Sequence, residues 1–164
     1  VSTDAAPSAD QDGRQAFTDA LRELLTNLPG QGLHEMWWVD ESFEAWPLDE
    51  PAVLEALSRW SRVPGRRLHI VGSDFELTAR RHPRFAAWRR DRAHVTEAWR
   101  PLPTERTDLP VRLLAGDRGV ELLDRVHWHW RRVDDRATLV NLMSSTADLL
   151  HRCESAWPIT TLGL

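Results

Sequence analysis

Apolar residues recur along this chain with two periods, and the switches between them mark out its elements. Phe17, Leu21, Leu24 and Leu28 fall on one helical stripe between Gln15 and Leu28, and Pro29-Gly30 stops it. The run Glu35 to Val39 reads as a buried strand, with Trp37 and Trp38 pointing to opposite faces. Asp40 to Leu48 reads as a loop holding Phe43 and Trp46. Asp49 is placed to cap a helix with Pro51 in its first turn and Val53, Leu57 and Trp60 on one stripe, ending near Ser61. Pro64-Gly65 breaks the chain, and Arg67 to Val71 is a second buried strand. Strand, helix and strand so tightly punctuated predict a parallel β-α-β unit.

Beyond Gly72 the pattern predicts a loop through Ser73, Asp74 and Phe75, then a helix from about Pro83 to Arg92 with Phe85 and Trp88 inward and the arginines outward. Further strands are predicted at 95–99, 111–115, 120–123, 126–133 and 137–142, with Gly116-Asp117-Arg118-Gly119 as a hairpin turn and Asp134-Asp135 as another. Ser145 is placed to cap a last helix, with Asp148 at its third position, Leu149, Cys153 and Trp157 on its buried face and Pro158 at its end. The apolar tail Ile159 to Leu164 is expected to dock back. Residues 1–14, rich in Ala, Ser and Asp, are expected to be disordered, and 15–164 to form a single domain without repeats. The expected fold class is α/β, a mixed sheet flanked by helices with an extra N-terminal helix.

Composition narrows the chemistry. All 21 basic residues are arginine and none is lysine. A phosphate-loop lysine and a Schiff-base lysine are therefore excluded. Arginine clamps anions but is too basic to be an ordinary general base. One cysteine, Cys153, rules out an internal disulfide and a cysteine zinc site. A net charge of −4 gives no general attraction to nucleic acid or anionic membranes. Apolar runs fall far short of a membrane span, and no hydrophobic signal region stands at the start, so a cytoplasmic protein without a membrane partner is expected. Nine tryptophans against four phenylalanines and no tyrosine point to core and subunit-interface packing.

Period two places His127, His129 and Arg131 on one strand face and Trp128 and Trp130 on the other. Two histidines so placed can share a metal, but no third ligand stands at motif spacing, although Glu121 and Asp124 are near in sequence; no metal and no cofactor are expected. The face reads as half-exposed and polar, or as an anion or partner surface through Arg131. Six arginines fall within thirteen residues, at 80, 81, 84, 89, 90 and 92. Arg84, Arg89 and Arg90 are anion-binding candidates, and the plain reading is a solvated helix face neutralised by Glu76 and Asp91. His34 and His82 stand near element ends and read as capping or surface groups. Gly72-Ser73-Asp74 lacks the glycine pattern of a dinucleotide loop and reads as a turn.

The order from Glu35 onward resembles one half of a phospholipase D-like domain. "DEPAVLEALSRWSRVPGRRLHIV" looks like that family's first helix and second strand, and "ADLLHRCESAW" like its closing helix. A narrower likeness is to proteobacterial proteins of this type that end in Thr-Thr-Leu-Gly-Leu, as 160–164 do here. The family's catalytic signature, His-x-Lys-x4-Asp, aligns with Pro110, Arg112 and Asp117. The position of the nucleophilic histidine holds proline, that of the phosphate-binding lysine holds arginine, and only Asp117 stands. The Gly-Ser-x-Asn element falls on 124–127 and is missing. A covalent phosphohistidine step cannot run on proline. The resemblance thus implies a catalytically silent binding or assembly module, pairing as a homodimer or with a partner domain. Two alternatives stay open: a divergent phosphodiesterase or nuclease using His127, His129, Arg112 and Asp117, and a weak nucleic-acid binder using the arginine cluster.

Overall fold

The structure, a computed structural model, describes residues 10–105 and 108–159. Helix α1 spans Asp10–Thr26. Strand β1 (Glu35–Val39), helix α2 (Pro51–Ser61) and strand β2 (Arg67–Val71) follow, and then helices α3 (Phe75–Arg81) and α4 (Pro83–Arg90). Strands β3 (Thr96–Pro101), β4 (Val111–Ala115), β5 (Arg118–Asp124) and β6 (His129–Val133) come next, then helix α5 (Arg136–Leu150) and the short strand β7 (Cys153–Ser155). The seven strands form one mixed sheet in the order β6-β5-β4-β1-β2-β3-β7. The fold is α/β. The expected β-α-β unit is present: β1 and β2 pair in parallel with Trp38 beside Ile70, and β3 extends the parallel set.

Helices α1 to α4 cover one sheet face. Phe17 and Leu21 of α1, Val53 and Leu57 of α2, and Phe85 of α4 join Met36, Trp38, Leu68, Ile70 and Leu113 in the main core. Trp60 is anchored there by its indole N–H, which donates to the Leu33 carbonyl at 2.9 Å. The other face carries α5 alone. That helix starts beside the end of β6, where Leu139 packs on Leu114 and Val133, and finishes where Leu149 meets Val39 and Val71.

Several expectations need correction. Residues 137–142 are helical, inside α5; its N-cap is Asp135, whose carboxylate accepts the Thr138 N–H, and Ser145 lies mid-helix. The short run Ala-Thr-Leu-Val has strand-like composition, but Leu139, Leu142, Thr146 and Leu149 form the helical stripe that wins burial. The helix ends at Leu150, so Cys153 lies on β7 at the sheet edge and Trp157 in a turn at φ 47°, stacked on Phe75. Strand 126–133 begins only at His129: the Asp124 carboxylate accepts the N–H groups of Val126 and His127 and turns the chain, with Trp128 at φ 53°. Helix α3, expected as loop, is capped by Asp74 through the Leu77 N–H. His82 does stand at an element junction as expected, C-cap of α3 and N-cap of α4, but it is buried and not a surface group, with Nε2 2.7 Å from the Phe43 carbonyl oxygen. Helix α1 begins at Asp10, earlier than Gln15, and the expected docking of 160–164 lies outside the described residues.

The segment 40–50 is a loop held by many side-chain bonds. Phe43, Trp46 and Leu48 are buried in it, and Trp46 donates its indole N–H to Asp40 at 2.9 Å. Burial raises the Asp40 pKa, against the hydrogen bond from the Glu41 N–H and the nearby Arg125 charge. Thr18 of α1 donates to the Ala45 carbonyl, Arg22 of α1 to both Glu50 oxygens, and Thr78 of α3 to the Ser42 carbonyl. Asp49, expected to cap α2, instead accepts the Arg84 and Phe85 N–H groups and so caps α4. Glu50 is the N-cap residue of α2 and makes no side-chain cap bond.

Candidate functional site

The hairpin β4–β5 sets Arg112 directly opposite Glu121, and β5–β6 sets Glu121 opposite Arg131. All three side chains project from the α5 face, so the register builds a chain of charges. Arg131 meets one Glu121 oxygen through Nη2 at 2.8 Å and Nε at 3.0 Å. Arg112 Nη2 lies 3.4 Å from the other oxygen. Its Nη1 donates to Ser145 Oγ at 2.9 Å, Thr146 Oγ1 at 3.2 Å and the Leu142 carbonyl at 3.4 Å, all on α5. Burial lowers the Arg112 pKa, Glu121 opposes that shift and the Arg131 charge adds to it. The Arg112 guanidinium is therefore clamped beneath a helix, with side-chain exposures of 11% for Arg112 and 9% for Glu121.

The two histidines do come together. Their ring centroids are 5.9 Å apart, and His127 Nδ1 lies 2.9 Å from Asp124 Oδ2. The His127 hydrogen bond, joined by the N–H groups of Val126 and His127, lowers the pKa of Asp124. Both histidines are exposed. His129 shares the strand face of Arg131, as alternation predicts, while His127 sits in the preceding turn. Asp117 is elsewhere: it occupies the exposed hairpin turn beyond the end of β4, which itself lies about 10 Å along the strand from Arg112. Pro110 is half-buried just before β4. The structure thus joins Arg112, Glu121 and Arg131, and separately His127 and His129, but leaves Asp117 at the far end of the hairpin. Among the described residues, no group of three or more His, Cys, Asp or Glu side chains is arranged to hold a metal.

The arginine cluster divides. Arg80, Arg84 and Arg90 are exposed and make no ion pair among the described residues, and Arg81 lies 3.4 Å from Glu44. Arg92 donates to Ser58 and Ser61 over the Trp88 ring. Arg89, expected outward, is buried: it lies over the Trp157 ring at 4.3 Å and donates to the Trp157 carbonyl, and burial lowers its pKa to about 10. Trp157 offers a cation-binding ring, which makes burial tolerable. Arg89 is thus a packing residue and is withdrawn as an anion contact.

Two further polar groups were not read from the sequence. His69 is buried on β2, stacked on Trp37 at 4.0 Å, with its ring nitrogens 3.6 Å from Glu35 and 3.5 Å from Glu97. Arg125 reaches the Leu109 carbonyl at 2.6 Å and lies 3.6 Å from Asp40. His69 depends on cross-strand neighbours that only a known register would have revealed, and Arg125 on two loop segments far from it in sequence.

No family model matches the chain, and no curated protein matches it. Among solved structures it is similar to TrmBL2, an archaeal chromatin protein whose structure shows a novel mode of DNA binding. The TM-score is 0.62 at 14% identity, over 88% of this chain and 52% of that one. The likeness shows the fold, and the chain spans about half the length of that protein. Among the described residues no helix is long and apolar enough to cross a membrane.

Proposed function

We propose that this chain is a catalytically silent half-domain of the phospholipase D-like type, and that it works as an assembly module by pairing with a second copy through the face that carries α5. The observation that carries this reading is the outer surface of α5. From Ala137 to Ala147 the helix has no charged residue, and Ala137, Val140, Ser144 and Ala147 are exposed along it. A hollow of about 270 Å³ opens beside Val140, lined by Leu139, Val140 and Met143 together with Asp117, Asp134 and Arg136. An uncharged face meets its own copy across a two-fold axis without opposing like charges. Small residues allow the close approach such a contact needs. Catalytic silence rests on Pro110 and on Arg112, which is held under α5 and turned from solvent.

Light scattering tests the pairing. At micromolar concentration the mass should be near twice 18.9 kDa, and Val140→Arg should return it to one copy. Val140 is 55% exposed, so the variant keeps its fold. A single-copy mass for the unmodified chain removes the homodimer.

A second reading, contact with nucleic acid, is favoured by the exposed Arg80, Arg84 and Arg90 and by the DNA binding named for the chromatin protein of similar fold. Three phosphate contacts to a single strand should cost about 20-fold in affinity between 50 and 200 mM salt, from a slope of about 0.7 per phosphate. Titrating a labelled strand at both salts should show that loss, and the strand should be recovered uncut. Binding that is indifferent to salt, or to replacing all three arginines by alanine, ends this reading. A cut strand revives the nuclease.

A further inference from the structure

We propose that the groove between α1 and the β5–β6 hairpin binds a small molecule carrying one phosphate or carboxylate on a compact apolar body. This is the face opposite α5, so the site does not depend on the pairing proposed above. The groove has a volume of about 660 Å³, within the usual span of roughly 300–1,000 Å³ for small-molecule sites. Its floor is apolar: Ala20 and Leu24 from α1, and Val120 from β5.

Two guanidinium groups stand over that floor. Arg132 lies directly across from Val120, and Arg118 precedes Val120 by two residues, so both arginines share one sheet face as diagonal neighbours. Such neighbours are about 7–8 Å apart, a spacing at which two forks can close on one anionic head. Arg118 makes no ion pair among the described residues. Arg132 is held by Glu23 at 3.0 Å, but these side chains are 60% and 67% exposed. A pair so open to water is weak, and a better acceptor can displace it. Glu23 and Asp134, both in the lining, repel additional negative charge. The groove therefore suits one anionic head with an apolar body, not the repeated phosphates of a nucleic acid.

The probe is 8-anilinonaphthalene-1-sulfonate, an anion on an aromatic body, titrated at low ionic strength and followed by its fluorescence. Saturable binding at one site per chain is expected. The double variant Arg118→Gln/Arg132→Gln should weaken it about tenfold or more, with the near-ultraviolet tryptophan signal unchanged. Glu23→Gln should tighten it, because the competitor for Arg132 is gone, and Val140→Arg should leave it unaltered. Competition with inorganic phosphate and with benzoate identifies the head; displacement by either supports the site. The proposal is overturned by non-saturable binding, by binding insensitive to the two arginine replacements, or by weakening in Glu23→Gln.

Discussion

Glu121→Ala is expected to destabilise the fold by about 3 kcal/mol, at the lower end of the range for breaking a buried ion pair. The carboxylate is almost fully enclosed and faces two arginines. Its removal strands the Arg112 guanidinium under α5 with Arg131 still nearby, and the bonds to Ser145, Thr146 and the Leu142 carbonyl soften the loss without neutralising the charge. The half-exposed Arg131 is a different case, and its replacement should cost about 1 kcal/mol or less. The double variant Arg112→Met/Glu121→Leu should recover most of the stability lost in Glu121→Ala, because apolar groups of similar volume need no partner. Urea unfolding followed by tryptophan fluorescence measures all of these. A loss in Glu121→Ala of less than about 1 kcal/mol, or a double variant no better than the single, contradicts the account of this network.

Trp38→Ala should cost about 4 kcal/mol, as large aromatic truncations in packed cores do. Trp38 is fully enclosed, with Trp46 and Phe85 ring centroids at 5.6 and 5.5 Å. Trp38→Phe should cost far less, about 1 kcal/mol: a small cavity opens, but a buried indole N–H that has no acceptor among the described residues is removed. Trp60→Phe runs the other way, since it deprives the Leu33 carbonyl of its donor. Comparing urea midpoints of the three variants decides the matter. If Trp38→Phe costs as much as Trp38→Ala, the indole N–H has a partner after all.

The half of the chain that punctuates itself was legible. Proline and glycine bound the β1-α2-β2 unit, and the stripe Val53, Leu57, Trp60 is buried as its spacing predicts. Prediction failed where one residue type serves two structures. Asp134-Asp135 looks like a turn between strands, yet the same carboxylate chemistry caps a helix, and Asp135 does so. The alternation of 126–133 ran through a reversal that Asp124 imposes from outside the pattern. Helix α3 has seven residues and buries Phe75 and Thr78, too short a stripe to show a period. The charge chain was within reach, because a turn at Gly116-Asp117 places Arg112 opposite Glu121. The groove was not, since Glu23 and Arg132 are 109 residues apart in sequence.

The segment 40–50 is irregular in backbone and yet belongs to the interior, tied by hydrogen bonds to α1, α3 and α4. Connections are ordinarily where a fold tolerates novelty: insertions, new termini and proteolytic nicks accumulate in them because few contacts cross. In this chain that freedom is missing between β1 and α2, where a lengthened loop would pull the cap from α4 and unseat Phe43 and Trp46 together. Room for variation lies instead at turns such as Gly116-Asp117, which face solvent. A lineage of such chains would keep the 40–50 segment at constant length while its hairpins drift, and anyone splitting or permuting the protein should open it at a hairpin.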